Sequence, residues 1–321
     1  MVAIEVHGLS KYWGETLAVD NISFHVAEGE VFSFLGPNGA GKTSTIKVLV
    51  CLTNPTLGSI TVAGYDAVKE PTEVKKRIGV VPDSSNLYDE LTVWENLMFV
   101  SKLYHIKNNL REDKINELLE LFQLENYRDR PFGKLSKGLK RRTVLAAALI
   151  HEPKILFMDE PTSGLDVMSA RALRDLIKKL AKSGVTIFLT THYIEEAGQL
   201  CDRIAILVNG KIVVIESPET LRTRVQDVPL LSIETETGNG FIIDELQNVP
   251  ATSIRQQDGR ILIQTHDVQE TLKALISLAE EKRVKLKEVQ TLKPSLEDAF
   301  VQLTGITPES MTLEVSKNKS G

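Results

Sequence analysis

The chain has 321 residues, 42% apolar and 25% charged, which is enough for one large domain and a smaller one, each with its own core. Its 38 basic and 43 acidic residues leave a net charge of −5, so there is no overall attraction to nucleic acid or to an anionic membrane.

In chain order, the amino-terminal MVAIEVHGLSKYWG lacks the apolar core of a secretory signal. Residues 1–83 alternate β-type runs with turns. Among them VFSFL (31–35), followed at once by glycines, predicts a buried strand. Residues 84–134 are polar and helix-rich, with Leu118, Leu119, Leu121 and Phe122 in one amphipathic stretch. From 144 to 216 the alternation resumes, with apolar runs at 154–158 and 185–189 on either side of a helical segment. RIAILV (203–208) and KIVVIE (211–216) flank Asn209-Gly210, a two-residue hairpin signal. These elements predict an α/β core carrying a helical insertion.

A second unit begins near Ser217-Pro218. Its pattern predicts strands over 230–235, 252–257 and 260–265, with an Asp258-Gly259 turn between the last two. A helix follows over 269–282, with Leu272, Leu275, Ile276 and Ala279 on one face, and then a strand over 284–290. A final helix opens at Ser295, where Asp298 completes a capping box, and stops at Gly305. Residues 307–321 read as a flexible tail. No apolar run approaches the roughly 18–20 residues that cross a bilayer, so if the protein works at a membrane another chain is expected to supply the crossing part. Cys51 and Cys201, the only cysteines, could pair, but they read as reduced thiols of a cytosolic protein.

Gly36, Pro37, Asn38, Gly39, Ala40, Gly41, Lys42 and Thr43 match the pattern G-x-x-x-x-G-K-[ST] in full, with Ser44 next. The match follows a predicted strand and opens a predicted helix, the context the pattern requires. Glycines let several backbone N–H groups converge on one anion, and the helix start adds partial positive charge. Lys42 supplies a full cation for the β- and γ-phosphates, and the Thr43 hydroxyl can ligate Mg²⁺. ILFMDEP (155–161) is an apolar strand ending in two acids, which places them at the carboxyl edge of the sheet beside that loop. Asp159 is expected to hold Mg²⁺, and Glu160 to orient and deprotonate the attacking water.

Three further motifs stand in order. LSKGLKRR (135–142) is similar to the Leu-Ser-Gly-Gly-Gln signature, with Leu135, Ser136 and Gly138 matching and Lys137 and Leu139 departing. Ser163-Gly164-Leu165-Asp166 resembles a D-loop, and His192, closing VTIFLTTH, a switch histidine. Over about residues 3–216 the chain thus resembles the ATP-binding cassette (ABC) family of transporter ATPases.

The resemblance implies a P-loop NTPase core (1–216) with an antiparallel β subdomain and a helical subdomain near 84–150. A small α+β accessory domain would then span 217–306. It further implies two such subunits, as a homodimer, facing each other head to tail, with Leu135, Ser136, Lys137 and Gly138 capping the partner's ATP. His192 would contact the γ-phosphate, and Trp13, or its neighbour Tyr12, would stack on adenine. The run Lys140, Arg141, Arg142 reads as a solvated helix face. Asp83 stands where the family carries a glutamine that reaches Mg²⁺ and water. An aspartate still ligates Mg²⁺, but it is one methylene shorter and has no amide to donate.

The ending KPSLEDAFVQLTG (293–305) resembles the drug, antibiotic and polymer export branch. The implied function is ATP hydrolysis that powers export through a separate transmembrane permease, with the subunit cytoplasmic and peripheral on the inner face of the membrane. The alternative is a soluble ABC-type ATPase acting on ribosomes or DNA. Those proteins usually carry two cassettes or a long coiled-coil insertion, whereas this chain has one cassette and a short insertion at 84–134. Lys42, Asp159, Glu160 and His192 together argue against a non-hydrolysing regulatory cassette.

Overall fold

The amino-terminal alternation folds as β1 (Val2–Trp13) and β2 (Thr16–Ala27), an antiparallel pair, followed by the fully buried β3 (Val31–Leu35). After the glycine-rich loop come α1 (Lys42–Leu49), β4 (Leu57–Val62), β5 (Tyr65–Asp66), α2 (Pro71–Lys75) and β6 (Ile78–Val81). The insertion holds α3 (Val93–Leu103), opened by a Thr92–Glu95 capping box, then α4 (Asn108–Leu121) and α5 (Lys137–Leu149). Next are β7 (Ile155–Asp159), α6 (Val167–Lys182), β8 (Thr186–Thr191), α7 (Ile194–Leu200), β9 (Arg203–Val208) and β10 (Lys211–Glu216). The computed structural model describes residues 1–224, 229–236, 246, 249–257, 259–292, 295–307 and 311. Two compact units emerge, Met1–Pro218 and Glu219–Gly305.

In the first unit the main sheet runs β10-β9-β3-β8-β7-β6, parallel except for β10 at its edge. Burial on both faces explains the unbroken apolar runs of its central strands. A second sheet, β2-β1-β4-β5, is antiparallel and alternates buried with exposed residues along β2. Phe24 of β2 reaches Phe32 and Phe34 of β3 and Phe188 of β8, with ring centroids 5.0–6.0 Å apart. Phe157 of β7 adds to this cluster at 5.6 Å from Phe188. Truncating such a buried ring typically costs roughly 3–5 kcal/mol, so this aromatic seam ties the two sheets together.

Register aligns the strand ends that carry the motifs. Leu35 pairs with Thr191 across β3 and β8, and Asp159 with Thr190 across β7 and β8. The phosphate loop leaves this edge and is wedged from two sides. A side chain at Gly36 would strike the Leu207 carbonyl at 2.1 Å, and one at Gly41 the Ala18 carbonyl at 2.4 Å. The β9–β10 turn closes over it: Gly210 N donates to Ala40 O (3.0 Å), and Asp20 N donates to Gly210 O (2.9 Å). Asn209 and Gly210 both take left-handed backbone (φ 48° and 77°), as the Asn-Gly pair predicts.

The second unit contains α8 (Pro218–Arg224, which begins at the boundary), β11 (Leu230–Thr235), β12 (Ser253–Gln257), β13 (Arg260–Gln264), α9 (Val268–Lys282), β14 (Leu286–Leu292) and α10 (Leu296–Thr304). Its antiparallel sheet has the order β12-β13-β11-β14. Leu275 and Ala279 of α9 pack on Leu231, Ile233, Ile261 and Ile263. The final helix has the expected Ser295–Asp298 capping box and a left-handed Gly305 at its end. Three expectations shift. Ile276 is 49% exposed, because Thr271, Leu275 and Ala279 set the buried stripe of α9 one position away from it. Leu121 is 43% exposed, while Leu119 and Phe122 turn inward. The strand expected at 284–290 starts at Leu286, after Arg283 ends α9 in left-handed backbone (φ 54°). Asp258, Lys293, Pro294 and most of the expected tail lie outside the described residues. Among the described residues no helix is long and apolar enough to cross a membrane.

Candidate functional site

Residues 36–44 curl from the end of β3 into the start of α1, and 38–44 of them line a cavity of about 470 Å³ together with Ala18, Lys47, Pro82, Asp83, Ser84, Asp159 and Glu160. Gly39 and Gly41 take φ of 81° and 103°, backbone that glycine adopts without penalty. Lys42 is only 5% exposed. Its Nζ donates to the carbonyls of Gly36 (2.7 Å) and Pro37 (3.1 Å) and stands 3.2 Å from Glu160 Oε1. Burial lowers its pKa, against the opposing pull of Glu160 and Asp159. The loop therefore holds a cation at its centre.

Asp159 ends β7, where Oδ1 accepts from Thr190 Oγ1 (2.5 Å) and Thr43 Oγ1 (3.2 Å). Burial raises its pKa and the two hydroxyls lower it, with Glu160 and Asp83 adding repulsion; the net shift is upward. A buried carboxylate with no ion pair within 4.0 Å among the described residues, and a hydroxyl beside it, is the kind of oxygen donor set a hard divalent cation prefers. The next residue, Glu160, has φ 48°, and left-handed backbone at a non-glycine residue costs roughly 1–2 kcal/mol. That turn swings its carboxylate between two bases: Oε2 meets His192 Nδ1 at 2.8 Å, and Oε1 faces Lys42. Burial pushes Glu160 up, but His192 and Lys42 outweigh it and hold the carboxyl below its ordinary range. Lys42 directs two of its three protons to the loop carbonyls, and the buried Oε1 has its ammonium as ion-pair neighbour at 3.2 Å.

The structure thus brings Lys42, Thr43, Asp159, Glu160 and His192 into one site. Asp83 lies on its wall but is 63% exposed, with its carboxylate 3.9 Å from Arg141. Trp13 stands at the rim, half exposed; Nε1 donates to Ser44 Oγ (3.1 Å), and Lys11 Nζ lies 4.6 Å from its ring centre.

The signature residues gather elsewhere and do not line the cavity. Leu135 is buried, while Ser136 and Lys137 are exposed. Ser136 caps α5 by accepting from Leu139 N (3.4 Å). Gly138 abuts α6, since a side chain there would meet Ser169 Oγ at 2.7 Å. Asp166 caps α6 through Ser169 N (2.9 Å), which puts the D-loop and signature side by side.

Two groups escaped sequence reading. Arg141, expected on a solvated face, is 8% exposed and grips backbone carbonyls beside Glu160 and Asp83. Its spacing to the buried Val144, Leu145 and Ala148 was the available signal. Thr190, which anchors Asp159, and Thr191, which donates to the buried Glu196 carboxylate (2.6 Å), are polar residues ending an otherwise apolar strand.

The sequence profile of the ABC transporter family matches residues 19–163. The chain is 39% identical over 309 residues to the Nod factor export ATP-binding protein I of Rhizobium sp. (strain N33), covering 95% of this chain and 97% of that one. It is 34% identical to the linearmycin resistance ATP-binding protein LnrL of Bacillus subtilis (strain 168), covering 95% and 99%. Among solved structures, the dimeric post-hydrolysis state of the ATP-binding cassette MJ0796 bound to ADP and Pi superposes with a TM-score of 0.61 at 28% identity, covering 67% of this chain and 98% of that one. The two sheets, the glycine-rich loop and the paired acids accord with these likenesses, and the protein belongs to the ABC transporter ATP-binding family.

Proposed function

We propose that this ABC ATPase hydrolyses ATP with Glu160 as the base and Mg²⁺ as the cofactor, and that it powers export through a separate permease at the inner face of a membrane. The observation that carries this reading is the Glu160 carboxylate, held below its ordinary pKa range by His192 and Lys42, turned inward by strained backbone, with Oε2 on His192 and Oε1 3.2 Å from Lys42 Nζ. The carboxylate accepts the proton of the attacking water. Lys42 and the loop N–H groups bind the β- and γ-phosphates, His192 steadies Glu160 and reaches the γ-phosphate, and Trp13 stacks on adenine. Thr43 and Asp159, with Asp83 nearby, would hold Mg²⁺, which would supply positive charge against the phosphates. Ser136 and the start of α5 cap the ATP of a second copy, head to tail; the dimeric structure of the MJ0796 cassette supports the pairing of two cassettes. The relatives named for Nod factor export and linearmycin resistance support export as the direction. Residues 217–306 serve as an accessory domain.

Affinity capture of the full chain from its native membranes tests the transport reading. The expected companion is a polypeptide with about six apolar segments of roughly 20 residues. Recovery with ribosomes or DNA, without such a companion, would overturn it. Asp83 has its own test. If Asp83 supports the metal, Asp83→Ala should raise the Mg²⁺ concentration for half-maximal hydrolysis about tenfold, while metal-free nucleotide binding stays unchanged. An unaltered Mg²⁺ dependence would remove Asp83 from the metal site.

A further inference from the structure

Arg141 lies in the second turn of α5, five residues after the capping Ser136. Nε donates to Pro161 O (2.8 Å) and Nη2 to Glu160 O (2.7 Å). Nη1 donates to Pro82 O (2.5 Å) and, less directly, to Asp83 O (3.4 Å). A single planar fork therefore closes on the two segments that follow β7 and β6. It also stands behind the acidic pair, and Asp83, Asp159, Glu196 and Glu160 all favour its charge against the cost of burial. The Glu160 peptide is gripped from both sides, because its own N–H donates to Thr190 O (3.1 Å) and Thr190 Oγ1 (3.2 Å). These bonds hold a residue whose backbone would otherwise relax out of the left-handed region, carrying its carboxylate away from Lys42 and His192.

We infer that Arg141 is a positioning residue for hydrolysis: it locks the strained backbone of Glu160 and, through the same guanidinium, fixes the Asp83 loop and α5 to it. The inference rests on the reading of Glu160 as the base. It also links two regions that line different surfaces, since the helix that starts at Ser136 holds the peptide that aims Glu160. A lysine would keep the charge but lose the fork, because a point ammonium cannot serve carbonyls on both segments in one plane.

The test compares full-length wild type, Arg141→Lys and Arg141→Gln in single-turnover ATP hydrolysis, in affinity for a non-hydrolysable ATP analogue, and in thermal unfolding. Both variants should hydrolyse at least about tenfold more slowly, with analogue affinity within about twofold of wild type. Arg141→Lys should fail to rescue the rate. In a Glu160→Gln background, adding Arg141→Lys should produce no further loss, because Arg141 acts through Glu160. A wild-type rate in Arg141→Lys would overturn the inference. So would a further drop in the double variant, or a parallel loss of analogue affinity and folding in both variants. If Glu160→Gln alone hydrolyses at the wild-type rate, the reading of Glu160 as the base fails, and this outcome is distinct from any Arg141 result.

Discussion

Glu160→Gln should lower ATP hydrolysis by about 10³-fold, close to 4 kcal/mol of barrier, while ATP still binds. Glutamine keeps the size of the side chain and can still pair with His192, but an amide cannot accept the proton that a carboxylate takes from water. Lys42 stays bonded to the Gly36 and Pro37 carbonyls, so the loop keeps its shape. ATP-driven closure of two copies would then have no hydrolysis to reverse it, and the variant should elute from a sizing column with ATP as a dimer. Adding Ser136→Ala should shrink that dimer peak, since each Ser136 would cap the nucleotide of the other copy. A monomer that hydrolyses at the wild-type rate would falsify the assignment of Glu160 as the base.

Lys42→Ala should damage binding and turnover together. The lysine is buried, holds two carbonyls of its own loop, and neutralises Glu160. Its removal strips the phosphates of a charge-assisted hydrogen-bond donor, worth roughly 1.5–3 kcal/mol. It also leaves Glu160 facing the γ-phosphate with only the His192 imidazole, 2.8 Å away, still paired to it. Turnover should fall by about a hundredfold or more, and nucleotide titration should show weakened affinity alongside it. Hydrolysis above about a tenth of the wild-type rate, a loss under roughly 1.4 kcal/mol, would break the assignment of residues 36–44 to the phosphates.

Much of this site was legible because the relevant signals are local. VFSFL before a glycine run, the Asn209-Gly210 turn and the Ser295–Asp298 box each carry their geometry within a few residues, and all three form as expected. The adjacency of Lys42, Asp159 and His192 depends on β3, β7 and β8 lying side by side with aligned ends, which motif order predicts only through strand topology. Where reading failed, the cause was non-local. Ile276 fits an apolar spacing as well as its neighbours do, and only the sheet it faces decides which stripe is covered. Arg141 sits in a run of three cations, and charge alone places such a run in water. Its burial depends on carbonyls that two distant segments bring to it. Asp83 kept its place on the cavity wall, but the pull of Arg141 on its carboxylate could not be read from the loop sequence.

The wedging of the phosphate loop bears on what nucleotide binding costs. Ala18 and Leu207 crowd Gly41 and Gly36, and the Gly210 amide is tied to Ala40, so the loop is braced by strands from both sheets. A loop that is already rigid when it meets its ligand surrenders little conformational entropy on binding. The turn at 209–210, remote in sequence, then sits under the same steric constraint as the loop itself. Bulk added at Gly210, where a side chain would lie 3.0 Å from the Ala18 carbonyl, would be felt by ATP without touching it.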